Sequence, residues 1–151
     1  MKVYFFKLFQ YNSWANSTVL GFLESRNIKD EQIQKLLSHI LNAEYIWLSR
    51  ITGNSELAKH VWGVHSFGRL TEMSSEVSIL YSELITSFSD QDFDRLLQYK
   101  NLEGKSFINS IQDIFTHVVN HGSYHRGQIN RLIRQKNVDP PITDYIAFIR
   151  L

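Results

Sequence analysis

The sequence predicts an all-α protein, a four-helix bundle followed by a short C-terminal helix. Apolar residues recur at helical spacing through most of the 151 residues,. The chain has only two prolines, the adjacent pair Pro140-Pro141, so little interrupts the helical segments before them,. One connection between the amphipathic segments is long and aromatic, the crossover that some bundles carry.

Taken in order, a first helix is expected from about Val3 to Ser25, with Phe5, Leu8, Phe9, Ala15, Val19, Phe22 and Leu23 as its inner face,. Asp30 is placed to cap a second helix that runs to about Ile51 on the stripe Ile33, Leu36, Leu37, Ile40, Trp47, Leu48 and Ile51; Gly53 stops it,. Residues 54–69 hold His60, Trp62, His65 and two glycines and read as an ordered loop. A third helix is expected over about Thr71 to Ser89, with Met73, Val77, Leu80, Leu84 and Phe88 inside and Thr71, Ser74 or Ser75 as cap. The helical period then lapses from Asp90 to Ser106. Leu96–Lys100 and Lys105–Ile108 flank Asn101-Leu102-Glu103-Gly104, the pattern of a hairpin-like connection,. The fourth helix is expected from about Asn109 to Lys136, with Ser110 and Asp113 as a capping box,. Beyond the prolines, Thr143 is expected to cap a last helix reaching Leu151. No repeat or internal boundary appears, so residues 1–151 are expected to form one domain,.

Composition narrows the function classes. Lys plus Arg is 16 against 15 Asp plus Glu, a net charge of +1, which gives no basic field for nucleic acid,. The absence of cysteine removes disulfides, zinc knuckles and a protein thiol nucleophile,. Neither a signal peptide nor a membrane span is read, and a soluble cytoplasmic protein is expected,.

The chemistry concentrates in the fourth helix. His117, His121 and His125 stand four residues apart. Each step of four turns about 400° and climbs about 6 Å, so adjacent members of the series share a face and can share a metal ion. All three cannot, because His117 and His125 lie about 12 Å apart along the axis. On the helical wheel His125 falls inside the apolar stripe Ile111, Ile114, Val118, Ile129 and Leu132; His121 lies near its edge and His117 well off it,. Imidazole at a position where Leu or Ile packs better marks a place where local rules yield to function. His121 and His125 are therefore the expected ligands.

A catalytic zinc-type site takes three protein ligands and leaves one position open. Gly122, Ser123 and Tyr124 separate the two histidines, so the glutamate of a zincin H-E-x-x-H is missing, and no E-x-x-H pair suggests a di-iron bundle,. His39, at the flank of the second helix's stripe, is the best remaining candidate, although a lone histidine there is more often a hydrogen-bonded core residue. His60 and His65 are expected to pack or face water. Asn12 and Asn16, one turn apart, can aim amides at the site or face solvent. Trp47, Trp62 and Tyr124 can wall a cleft or serve as plain core. Arg126 can bind a carboxylate of a small ligand or pair with a surface acid.

These residues together resemble the DinB/YfiT-like family of small helical metalloproteins. The resemblance rests on Tyr11-Asn12-Ser13-Trp14-Ala15-Asn16, on Ser38-His39-Ile40 followed by Ala43-Glu44, Trp47-Leu48 and Gly53, on His117 through Gln128 with its H-R-G-Q run, and on Thr143-Asp144-Tyr145-Ile146 with Arg150. It implies an up-down-down-up bundle and one divalent ion held by His39, His121 and His125, with His117 in support. Zinc or nickel leads the expectation, with iron, manganese, cobalt and copper open to a histidine-only site. The resemblance also implies a homodimer and, from characterised branches, transfer chemistry with low-molecular-weight thiols such as bacillithiol or mycothiol. A chain without cysteine must take its sulfur nucleophile from a cosubstrate. A metal-dependent hydrolase of small molecules and a non-catalytic, stress-associated metal-binding protein are the alternatives.

Overall fold

The computed structural model describes residues 1–151. Four long helices, α1 (Lys2–Ser25), α2 (Glu31–Thr52), α3 (Phe67–Ser87) and α4 (Ile111–Arg134), form the bundle, and a short α5 (Tyr145–Ile149) follows. A two-stranded antiparallel hairpin, β1 (Leu96–Lys100) with β2 (Ser106–Ser110), connects α3 to α4. The lapse of helical period was read correctly, and the connection is a true β-ladder.

The side-chain pairs give the helix directions. Phe9 stacks on Tyr81, and Lys2 reaches the Thr86 carbonyl, so α1 and α3 run antiparallel. His39 meets His125 while Trp47 meets His117, so α2 and α4 are antiparallel as well. Gln34 bonds the carbonyl of His65, and Tyr45, further along α2, bonds Glu76 on α3, which makes α2 and α3 parallel. The order is up-down-down-up. Two consecutive parallel helices require the chain to travel back along the bundle, and residues 53–66 do so, including a 3-10 turn at Ser55–Leu57. The core between the helices is strongly aromatic: Phe5, Phe9, Tyr81, Phe93 and Phe115 are all buried and meet edge-to-face or stacked,. No helix is long and apolar enough to cross a membrane.

Three boundaries differ from expectation. Helix α3 starts at Phe67 rather than Thr71, because Ser66 accepts the N–H of Arg69 as its cap,. The hydroxyls of Thr71 and Ser75 instead bond back to the carbonyls of Phe67 and Thr71, one turn earlier in the same helix,. The N-cap position of helix α5 is Asp144, not Thr143, and its side chain makes no capping bond; the Thr143 carbonyl accepts the Tyr11 hydroxyl. Helix α4 spans only Ile111–Arg134; Ser110 caps it through the Asp113 N–H, while the Asp113 carboxylate takes the Ser110 hydroxyl and not its backbone.

Helix α2 begins as read. Asp30 Oδ1 accepts the N–H groups of Gln32 and Ile33 at 2.9 and 3.0 Å, and Oδ2 pairs with Lys136 just beyond α4. The Lys136 ammonium and the two N–H groups hold the Asp30 carboxyl below its ordinary value of 3.8. A depressed carboxylate pKa adds stability that is present above the unfolded value and disappears as pH falls through the folded one. Asp30→Ala is expected to cost about 1 kcal/mol at pH 7. That difference should shrink below pH 3.8. Urea denaturation of both proteins at neutral and acid pH checks it.

Candidate metal centre

Helices α2 and α4 carry the three histidines to one place. One donor nitrogen from each of His39, His121 and His125 lies within 4.8 Å of the other two. His39 Nε2 and His121 Nε2 face each other at 3.0 Å. The edge of a tetrahedron with zinc–imidazole bonds is about 3.3 Å, so this pair already stands near ligand spacing.

Two of the three rings have their tautomer set by the protein. His39 Nδ1 lies 3.3 Å from the Val61 carbonyl, which can only accept, so Nδ1 carries the hydrogen and Nε2 keeps its lone pair,. His125 Nδ1 lies 3.0 Å from Gln128 Oε1, one turn on, which fixes that ring in the same way. The glutamine of the H-R-G-Q run is thus an orienting acceptor, the arrangement by which ligand histidines are commonly held. Burial pushes the His39 imidazole below its ordinary value, opposed by the Val61 carbonyl. His121 is pushed down to about 3, first by burial and then by the neighbouring imidazoles. Both rings are therefore neutral near pH 7, the state a ligand requires.

The loop of residues 54–66, of which the sequence singled out only Trp62 as a possible cleft wall, supplies half of this support. Asn42 Nδ2 donates to the Gly63 carbonyl, its Oδ1 meets His65 Nε2 at 2.8 Å, and Ser38 Oγ accepts the His65 N–H. These bonds pin the loop to α2 and bring Val61 to His39. His65 packs, as expected, but as a clasp on that loop. Trp62 stacks on His39 with ring centroids 4.0 Å apart.

A cleft of about 370 Å³ opens beside the histidines, lined by His39, His117 and His121 and by the aromatic rings of Trp47, Tyr99 and Phe107. Trp47 walls it as anticipated, meeting Tyr99 and His117 edge-to-face. His117 is exposed and outside the three-nitrogen cluster, matching its place off the stripe. His125 is only half-buried; the inward positions at its level belong to Gly122 and Arg126. Tyr124 is exposed, edge-on to His125, and does not line the cleft.

The structure places Asn12, Asn16 and Arg126 differently from the sequence reading. All three are buried, at 1%, 2% and 1% exposure, on the inner side of α1 and α4. Arg126 Nη1 donates to Asn12 Oδ1 at 2.9 Å and Asn16 Oδ1 at 2.7 Å, and both asparagine amides donate to Glu44 Oε1. Arg126 can reach neither a carboxylate in the cleft nor a surface acid. The Asn pair instead relays between the buried Arg126 guanidinium and the buried Glu44 carboxyl, joining α1, α2 and α4. Gly122 makes room for it: a Cβ there would sit 2.7 Å from Asn12 Oδ1 and 2.8 Å from Arg126 Nη1. Glu44 was missed as a functional candidate. Its signal was available, since it lies four residues after Ile40 and four before Leu48, inside the α2 stripe,.

Comparison with known proteins identifies the family. The sequence model of the DinB family matches residues 1–151. The chain is 29% identical to "Protein DinB" of Bacillus subtilis (strain 168), over 99% of this chain and 95% of that protein. It is 24% identical to "Uncharacterized protein YizA" of the same organism, over 93% of each. A solved DinB-like protein from Bacillus cereus ATCC 10987 superposes with a TM-score of 0.60 over 91% of this chain and 94% of that one; at 16% identity the likeness speaks for the fold alone. With its whole length matched, an up-down-down-up bundle and three histidines gathered between α2 and α4, the chain belongs to the DinB family.

Proposed function

We propose that this protein is a metal-dependent enzyme that activates a low-molecular-weight thiol for transfer to small electrophiles, with His39, His121 and His125 holding the ion. The observation that carries the reading is three convergent imidazole nitrogens beside an open cleft, with no carboxylate among them. A divalent ion held by neutral ligands keeps its full charge and supplies a Lewis-acid position that lowers the pKa of a coordinated thiol or water.

The chain's own residues do the rest. The Val61 carbonyl and Gln128 keep the two outer imidazoles aimed at one point. Trp47, Tyr99 and Phe107 offer aromatic surface that excludes water from one side of the cleft. His117 lines the same cleft, and in this reading it takes the proton that a thiol gives up as its sulfur bonds to the electrophile and the leaving group departs. The chain has no cysteine, so the sulfur must come from the cosubstrate. The homodimer and the cytoplasmic setting belong to the same proposal; the family resemblance supports the homodimer.

The test is the thiol's ionisation. The absorbance of thiolate is followed across pH for bacillithiol, cysteine and glutathione, with metal-loaded and metal-free protein. At least one thiol is expected to ionise at clearly lower pH with loaded protein only. Unchanged titration for all three rules the thiol chemistry out, and turnover of an ester or amide without thiol would transfer the site to hydrolysis.

A further inference from the structure

The cleft beside the histidines has an uneven charge pattern. Among the side chains that line it, Arg50 alone carries permanent charge, and no Asp or Glu is present. Arg50 is half-buried and forms no ion pair, although Asp and Glu pair with Arg69, Lys136 and the N-terminus elsewhere. Its guanidinium lies 4.6 Å from the centre of the Trp47 ring and 5.0 Å from that of Tyr99. It makes one hydrogen bond within the protein, from Nη2 to the Lys100 carbonyl at 3.0 Å, so most of its N–H donors lack a protein acceptor,. A partly desolvated cation without a counter-charge is costly unless something meets it.

Helical spacing sets the order of these groups. His39, Ala43, Trp47 and Arg50 follow one another along one face of α2, so Arg50 lies about three turns from the histidine end,. Between the two ends the hairpin brings Tyr99 and Phe107, a cross-strand pair stacked at 5.9 Å, over the face of α2. The cleft thus has a cation at one end, aromatic walls with His117 in the middle, and His39 and His121 at the other end.

We propose that the cleft takes a ligand with one carboxylate and a flat or branched apolar body, the carboxylate on Arg50 and the body against Trp47 and Tyr99, with its reactive end toward His39 and His121. This rests on the reading of the cleft as a substrate site given above. A guanidinium presents a planar fork that matches a carboxylate. A phosphate dianion would call for further cations or a helix N-terminus, and none lines this cleft,. The hairpin then acts as the specificity element, because Tyr99 and Phe107 set the width available to the apolar body.

The probe is 3-phenylpropionate compared with the neutral 3-phenylpropanamide, titrated calorimetrically into metal-free and metal-loaded protein. The acid is expected to bind roughly tenfold or more tightly than the amide in both forms, since a charge-assisted bond exceeds a neutral one. Arg50→Gln should bring the two affinities within about twofold while leaving the amide unchanged, and Arg50→Lys should keep part of the preference. Equal affinity for acid and amide in wild type, or no detectable binding of the acid, overturns the proposal. So does an equal loss for both ligands in Arg50→Gln, because the arginine then only fastens the hairpin to α2. Should Arg50→Gln not fold, Arg50→Lys decides by the same comparison: a reduced preference with intact amide binding supports the proposal, and an equal loss of both overturns it. The metal-free titration separates the two readings. A protein that prefers the acid yet holds no metal fails only the metal reading, and one that holds metal without preferring the acid fails only this one.

Discussion

Alanine at His39, His121 or His125 is expected to empty the metal position, whereas His117→Ala should keep close to wild-type metal after gel filtration. The reason is ligand number. Removing one of three imidazoles leaves two, below the three protein ligands that hold a catalytic ion. The loss should exceed the 10–100-fold weakening typical of removing an orienting partner. His117 lies outside the cluster of donor nitrogens, its ring centre 5.6 Å from that of His121, and it is exposed. Elemental analysis of each purified variant, reported as metal per chain, reads the result directly. Full retention in the His39 variant with loss in the His117 variant would move the site one turn along α4 and sink the present ligand set. Circular dichroism guards against a trivial outcome, since His39 is buried and loss of metal must be separated from loosening of the bundle around it.

That ligand set could be approached from sequence because its signal is periodic. A four-residue step puts His121 and His125 on one helical face, whatever the rest of the chain does. His39 was harder, because its partner atoms come from another helix and nothing local says which way the ring points. The parts of the site that escaped notice are those that depend on chain reversal. Val61 acts through its carbonyl, which every residue has, so no residue type could announce it. The hairpin was visible as a lapse in helical period, but its position over α2 follows from tertiary packing of Tyr99 on Trp47. Helix boundaries failed where two serines or threonines competed for one cap: Ser66 won over Thr71, and Thr71 bonded back into the helix.

The buried relay shows a different kind of miss. Asn12, Asn16, Glu44, Gly122 and Arg126 all sit at positions where the apolar stripe of their helix continues, and a polar residue there must find partners inside,. Each helix taken by itself leaves the choice open: the asparagines between the site and solvent, the arginine between a ligand carboxylate and a surface acid. Read together, an acid on α2, a base on α4 and two amides on α1 form a matched set. Charge balance between stripes was the legible clue, and only the pairing needed the fold.

Arg126→Met should be the most destabilising of the substitutions considered, at about 3–5 kcal/mol near neutral pH. Removing one member of a buried pair leaves the other charge uncompensated, which costs far more than the net worth of the pair. Here the survivor is Glu44, 3% exposed, whose remaining donors are the neutral amides of Asn12 and Asn16. The oxygens of those amides lose their donor as well. Such a loss is a large share of the 5–15 kcal/mol that stabilises a typical domain. A proton can relieve it. Burial already pushes the Glu44 carboxyl above its ordinary 4.5, and Arg126 is one of the groups that restrain the rise. Without the arginine the folded-state value climbs further. A carboxyl raised on folding contributes stability that is present below its unfolded value and is lost as pH increases through the folded one. The metal-free variant should therefore lose stability relative to wild type on going from pH 5 to pH 8, as read by urea denaturation. Adding Glu44→Gln should recover much of the deficit and flatten that dependence, because no buried charge then remains. A single variant that stays within 1 kcal/mol of wild type at pH 8 would mean that Glu44 is already neutral in the native protein, and that the asparagines bridge an acid rather than an anion.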